Sequence, residues 1–295
     1  MREKLNCAII GTGKIGIDVY IKCKKSRLFE NIYIYNKNSK SEGAKYCKNK
    51  KFNYSSLGID GIIKDIKKID IVYDASNVHS NKIHYKKLRK HLTKNKFMIN
   101  FTPSNYGDYY IPYFKINKLP NTVNLVTCGG QSSIPMISEI KKIFNINYFE
   151  LVSAISSKSA GFGTRQNVDE YINNTKRAIF KTCKLKNTKI IFNLNPSEPP
   201  VTMTNSMFFK INDKINSRNK KKIFKAILIV NMFMQKIIPG YHARFVDIID
   251  KNIIKITISI TGQGDYLPKY SGNLDIITSI GVNYAKKISE KKYFN

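Results

Sequence analysis

The chain has 295 residues, 42% of them hydrophobic and 24% charged, enough to bury a substantial core and divide into two domains, and this excludes a disordered tail. A formal net charge of +31 ordinarily points to nucleic acid or an anionic membrane. Here the lysines run through the whole sequence beside Asn, Ile and Tyr, as drift in an AT-rich genome produces, so only weak, salt-sensitive binding to polyanions is expected and no specific nucleic-acid function.

The N-terminus, MREKLNCAII, enters an apolar strand-like run with no signal-peptide core, so export is not expected. Residues 5–10 read as a strand, 15–25 as a helix and 32–35 as a second strand, which together make a βαβ unit. Between the first strand and the helix, Gly11, Thr12, Gly13, Lys14, Ile15 and Gly16 fit G-x-G-x-x-G in the required context. Glycines there permit a tight turn and let backbone approach a pyrophosphate, which rests on the free N–H groups of the helix N-terminus. The acidic residue that usually accepts the ribose hydroxyls is absent, because Tyr35, Asn36, Lys37 and Asn38 end the second strand. Asn36 can still hydrogen-bond a ribose and Lys37 can pair with a 2′-phosphate, which leaves NAD and NADP both open.

Further strands are expected at 69–74, 97–101 and 123–127, with a basic helix over 81–94, and they complete a parallel, doubly wound sheet. After Cys128 the pattern changes to a helix reaching about residue 144, a long strand at 148–157 and a glycine-rich loop over 158–165. An apolar stretch at 224–238 is interrupted by Lys225, Asn231, Gln235 and Lys236 and is shorter than the roughly 20 residues a bilayer requires, so it reads as a buried helix. Strands at 244–249 and 253–261 flank Asp250, Lys251 and Asn252 as a hairpin. A last helix, 274–289, is expected to return to the first domain. The reading is an α/β fold: a Rossmann-type dinucleotide domain, 1–128 with 270–295, and an α+β domain, 129–269.

The five cysteines, Cys7, Cys23, Cys47, Cys128 and Cys183, are scattered, form no C-x-x-C pair and have no histidine at metal-ligand spacing. Neither disulfides nor a metal site is expected, and a reducing cytoplasm fits. Cys128 is singled out by its place at the domain junction, where it is read as closing a strand before Gly129, Gly130 and a helix start with Pro135 in the first turn. A thiol at a helix N-terminus feels the positive end of the dipole, so a lowered pKa is expected. Joined to a dinucleotide fold, such a thiol attacks an aldehyde, hydride leaves for the nicotinamide, and a thioester remains for a second nucleophile.

At this point the sequence resembles the acylating acetaldehyde dehydrogenases that work beside a 4-hydroxy-2-oxovalerate aldolase in bacterial aromatic catabolism. The matching segments are AIIGTGKIGID at 8–18, TCGGQSSIPM at 127–136, SAISSKSAGFGTRQNVDE at 153–170, NPSEPP at 195–200, PGY at 239–241 and GDYLPKYSGNLDI at 264–276. The resemblance implies a glyceraldehyde-phosphate-dehydrogenase-like architecture in which 129–269 is the catalytic and dimerisation domain. It implies Cys128 as the acyl-thioester nucleophile, NAD as cofactor and coenzyme A as second nucleophile. It further implies that NAD is contacted by Thr12 to Ile15, by Ser159, Ala160, Gly161, Phe162, Gly163, Thr164, Arg165, Gln166 and Asn167, and by Asn273 at its nicotinamide end. An aldolase partner and a homodimer follow from the same resemblance. On the residues alone, Ser159 to Thr164 reads equally as a surface loop and Gly272-Asn273 as a helix N-cap.

The family usually carries Asn at the place of Lys14, an acidic residue after the second strand, and Arg-Asp where Thr204 and Asn205 stand. A carboxylate at 205 can take the thiol proton, whereas an amide can only orient by hydrogen bonds. A slow enzyme whose rate climbs with pH is therefore expected, against the alternative that Asn205 is a turn residue outside the site. Two other readings share the fold: a phosphate-dependent semialdehyde dehydrogenase using a histidine base, for which His242 is the only histidine after Cys128, and a degenerate structural subunit that has lost catalysis.

Overall fold

The computed structural model of the chain describes residues 4–93, 95–161, 164–165 and 167–292. Two compact units divide it, the first comprising 1–125 and 277–295 and the second 126–276.

In the first unit β1 (Leu5–Ile10), α1 (Lys14–Ser26), β2 (Phe29–Tyr35), α2 (Glu42–Asn49), β3 (Asn53–Ser55) and α3 (Gly58–Asp65) alternate. They are followed by β4 (Ile71–Asp74), α4 (Val78–Leu88), β5 (Phe97–Asn100), β6 (Asp108–Tyr109) and β7 (Thr122–Asn124). The seven strands form one sheet in the order β3-β2-β1-β4-β5-β7-β6, with every pairing parallel. Strands covered on both faces read as unbroken apolar runs, and β1, β4 and β5 are buried almost throughout for that reason. The chain order reverses beside β1, so the carboxyl ends of β1 and β4 form the crevice where ligands settle in such sheets. The expected basic helix at 81–94 is shorter than its sequence pattern, ending at Leu88 before a 3₁₀ turn; Lys94 lies outside the described residues.

The second unit begins with α5 (Cys128–Lys141), β8 (Ile146–Ser156), α6 (Val168–Cys183), β9 (Thr188–Asn195) and β10 (Met203–Ile211). It continues with α7 (Ser217–Gln235), β11 (Tyr241–Asp250), β12 (Ile253–Ile260) and the first turn of α8 (Gly272–Lys292). Its five-stranded sheet runs β11-β12-β10-β8-β9 and is mixed, only β8 and β9 being parallel. The β11–β12 hairpin turns where Asp250, Lys251 and Asn252 were expected to place it. The stretch expected to be a buried helix is instead half exposed: Ile223, Ala226, Ile227, Val230 and Met234 of α7 face inward, while Phe224, Leu228 and Met232 point to solvent. Helical periodicity buries one stripe, here against α5 and β11, and leaves the opposite face open.

Among the described residues no helix is long and apolar enough to cross a membrane, and no cluster of three or more His, Cys, Asp or Glu can hold a metal. All five cysteines are free and buried.

Candidate active site

Each unit carries one half of the expected chemistry. In the first, the chain leaves β1 through Gly11, whose φ of +105° lies in the left-handed region, and its Cα faces the Ala75 carbonyl so closely that a Cβ would stand 2.7 Å from the oxygen. Gly13 and Lys14 are exposed, Thr12 and Gly16 are buried, Ile15 is half-buried, and α1 begins at Lys14. A Cβ on Gly13 would meet nothing within 4 Å, so the space beside this glycine at the start of α1 is open. A helix N-terminus reached by a tight glycine turn, with open space beside its capping glycine, fits the pyrophosphate of a dinucleotide.

The loop is held from behind by Asn36, whose amide donates to Thr12 Oγ1 at 2.8 Å, the Asn38 carbonyl at 2.9 Å and Ser41 Oγ at 3.1 Å. Asn36 thus spends its donor on the loop rather than presenting it to a ribose. Lys37 is exposed beside it. Under the crevice, Asp74 is fully buried and accepts hydrogen bonds from Ser76, Asn81 and, at 2.9 Å, sits against His84 Nδ1. Ser41, Asp74 and Asn81 were not singled out from the sequence, because polar residues past a strand end are legible only as loop.

In the second unit the thiol sits differently from its expected place. Strand β7 stops at Asn124, four residues short of Cys128, and Cys128 is the first residue of α5 rather than the last of a strand. Between them Val126 adopts φ +61°, a left-handed conformation that a β-branched residue resists at a cost of order 1–3 kcal/mol. Its carbonyl is tied down by Asn174 Nδ2 at 3.0 Å. Thr127 then caps the helix, its hydroxyl accepting from the Gly130 N–H at 3.0 Å and meeting Thr175 Oγ1 at 2.7 Å. Pro135 lies inside α5, not in its first turn as the sequence suggested. A proline lacks the N–H that binds the carbonyl four residues back; nearby, Tyr241 donates to the Ser132 carbonyl at 2.9 Å.

Cys128 Sγ lies 3.6 Å from the Tyr171 hydroxyl, which also accepts from the Gly129 N–H at 3.0 Å and donates to Ser153 Oγ at 3.3 Å. Ser153 in turn donates to Asn205 Oδ1, and Asn205 Nδ2 donates to Ser132 Oγ. Ser132 closes the circuit on the Cys128 and Gly129 carbonyls, each at 2.9 Å. Asn205 is therefore no turn residue: it is fully buried in the middle of β10, directly opposite Ser153 of β8. Tyr171, Ser153 and Ser132 were missed by sequence reasoning. One signal existed, since Met203, Asn205, Met207 and Phe209 alternate on the buried face of β10 and the amide is the polar member of an apolar row.

The thiol pKa is also a correction. Burial pushes Cys128 up to about 11, and hydrogen bonds from Tyr171 and the Gly129 N–H offset this only in part. Removing a thiolate from water costs more than the helix N-terminus returns. Burial likewise holds the Tyr171 phenol well above its usual range.

The remaining expected contacts fall as follows. Ser159 is buried and donates its hydroxyl to the Ser156 carbonyl at 2.8 Å, Ala160 is buried, and Gly161 is half-buried. Thr164 is half-buried, Arg165 is exposed and donates to the Ser157 carbonyl at 2.9 Å, and Asn167 stands at the N-cap of α6. Phe162, Gly163 and Gln166 lie outside the described residues. Asn273 is inside the first turn of α8, not its cap, and its buried Oδ1 has no hydrogen-bond partner among the described residues. An unpartnered amide oxygen of this kind fits a donor on a ligand. His242 is exposed on β11, 3.3 Å from Gln235, so the histidine a phosphate-dependent enzyme would need has no place in the hydrogen-bond circuit of the thiol.

Residues 128–268 match a family described as prokaryotic acetaldehyde dehydrogenase, dimerisation. The acetaldehyde dehydrogenase of Geobacillus stearothermophilus is 35% identical to this chain over 292 residues, 98% of each. That of Polaromonas naphthalenivorans is 33% identical over 297 residues, 99% of this chain and 96% of the relative. Among solved structures, aspartate semialdehyde dehydrogenase II from Vibrio cholerae superposes with a TM-score of 0.67 at 10% identity, covering 99% of this chain and 100% of that one. This last likeness establishes a common fold.

Proposed function

Since the chain belongs to the prokaryotic acetaldehyde dehydrogenase family, we propose that it is the acylating form, converting acetaldehyde, NAD⁺ and coenzyme A to acetyl-CoA and NADH. The observation that carries this is Cys128 opening α5 inside a closed hydrogen-bond circuit, with Tyr171 against its sulfur. As a thiolate, Cys128 attacks the aldehyde carbon and forms a thiohemiacetal. Bound NAD supplies the hydride acceptor. Loss of hydride, with loss of the hydroxyl proton to water, leaves a thioester on Cys128, and the acyl group then passes to the sulfur of coenzyme A, whose thiol proton returns the free cysteine.

The residues fit the dinucleotide. The exposed N–H end of α1 behind Gly11 and Gly13 suits the pyrophosphate, and the buried Asn273 Oδ1 suits a carboxamide donor. We assign Thr12 to Ile15, Ser159 to Asn167 and Asn273 as NAD contacts on the strength of the sequence resemblance. Cofactor preference stays with NAD despite Lys37, and we extend the same reading to a homodimer through the second unit, a 4-hydroxy-2-oxovalerate aldolase partner in aromatic catabolism, and the cytoplasm, which five free cysteines suit. Direct transfer between partner enzymes protects a reactive aldehyde.

The test is NADH formation from acetaldehyde with coenzyme A present, absent or replaced by phosphate, with acetyl-CoA quantified. Equimolar NADH and acetyl-CoA only in the presence of coenzyme A is the expected result. Turnover with phosphate alone favours the semialdehyde type, and no turnover by folded, reduced protein favours a structural role.

A further inference from the structure

We propose that Tyr171 is a catalytic residue whose hydroxyl proton turns from Ser153 to the Cys128 sulfur when the thiol ionises, so that it holds the thiolate by a hydrogen bond. This rests on the reading of Cys128 as the nucleophile.

The Tyr171 oxygen has one proton and two neighbours able to receive it, Ser153 Oγ at 3.3 Å and Cys128 Sγ at 3.6 Å. Its acceptor side is occupied by the Gly129 N–H at 3.0 Å. A neutral thiol is a weak acceptor and leaves the proton with Ser153, whereas a thiolate outcompetes a neutral hydroxyl. Ser153 cannot reverse the arrangement, because its own proton is committed to Asn205 Oδ1, and Asn205 is fixed in that orientation by donating its amide to Ser132. The circuit therefore has a single direction, from a backbone N–H to helix carbonyls.

The hydroxyl is also built into place. The ring packs against Phe192 with centroids 4.4 Å apart, and the oxygen fits only because residue 129 has no Cβ, which would stand 2.3 Å away. Among the described residues no histidine, lysine, arginine or carboxylate hydrogen-bonds the sulfur. The proton leaving the thiol goes to bulk water, and Tyr171 keeps its own because burial disfavours the phenolate. When the S–C bond forms, the carbonyl electron pair moves to the aldehyde oxygen, which takes a proton from water, and the Tyr171 proton returns to Ser153.

The experiment measures the pH dependence of iodoacetamide alkylation at Cys128, read by peptide mass spectrometry on the full chain without turnover. Tyr171→Phe is expected to raise the thiol pKa by about one unit or more, a tenfold loss of alkylation rate near neutral pH, as for a hydrogen bond to a charged group. Ser153→Ala removes the competing acceptor and is expected to lower the pKa. An unchanged pKa in Tyr171→Phe overturns the proposal; so does a raised pKa in Ser153→Ala, which also decides the matter if Tyr171→Phe fails to fold. Failure of the nucleophile reading shows separately, as retained NADH formation in Cys128→Ser.

Discussion

Gly129 and Tyr171 meet where the thiol helix begins: the Gly129 N–H donates to the Tyr171 hydroxyl at 3.0 Å, and its Cα leaves no room for a side chain in front of that oxygen. Gly129→Ala would set a methyl 2.3 Å from Tyr171 Oη and 3.2 Å from Ser153 Oγ. We expect the ring to be driven back and stability to fall by about 1–3 kcal/mol, measured by urea denaturation. An unchanged midpoint would mean that the tyrosine yields freely and its contact with the helix start is loose.

Cys128→Ser should retain dinucleotide binding, for which we propose contacts other than the thiol, the glycine loop of the first unit among them, and lose roughly a thousandfold or more of NADH formation. Calorimetric titration with NAD and a coupled rate assay read the two properties separately. Comparable rates in the variant would rule out covalent catalysis at this residue.

The raised thiol pKa carries a pH dependence of fixed sign. With the folded value near 11, the Cys128 alkylation rate should climb about tenfold per pH unit through the neutral and mildly alkaline range. For stability, an unfolded thiol ionises near about 8.5. The folded state favours the neutral form, so its contribution is complete below that pH and is lost as pH rises toward 11. Thermal melts of parent and Cys128→Ala between neutral pH and the alkaline limit should converge as pH rises, and parallel curves would contradict the burial argument.

Asn205→Asp keeps the acceptor for Ser153 but loses the donor to Ser132. We expect about 1–3 kcal/mol lower stability, together with a faster enzyme near neutral pH, because the circuit from Cys128 through Tyr171 and Ser153 would then end in a group able to take a proton. Identical pH–rate profiles, or a slower variant from negative charge raising the thiol pKa, would exclude a proton-accepting role for this position.

Asp18 and Lys22 form a buried pair at 2.8 Å within α1, and Thr278 donates to the same carboxylate oxygen at 2.6 Å. Lys22→Met leaves that carboxylate uncompensated and should destabilise the first unit by about 3–5 kcal/mol. The double variant Asp18→Asn with Lys22→Met should recover most of the loss; if it does not, packing rather than charge is the cause.

The glycine loop after β1, the presence of a helix following the 127 region and the hairpin at Asp250 were legible in the sequence, because each depends on residues within a few positions of one another: a turn that needs glycine, a local helical pattern, two alternating strands around a short polar break. That Cys128 is the first residue of the helix was not legible. The end of β7, the interior placement of Pro135 and the open face of α7 were not, since propensity fixes boundaries weakly and packing decides which turns continue. The thiol circuit belonged wholly to the tertiary structure. Tyr171 lies 43 residues from Cys128, and Ser153 meets Asn205 across 52 residues only because the β8–β10 register sets them opposite each other. The sign of the Cys128 shift was decided there too: a helix N-terminus is written in local sequence, but the loss of water around the sulfur is produced by chain segments that arrive from far away, and for this thiol desolvation is the larger effect.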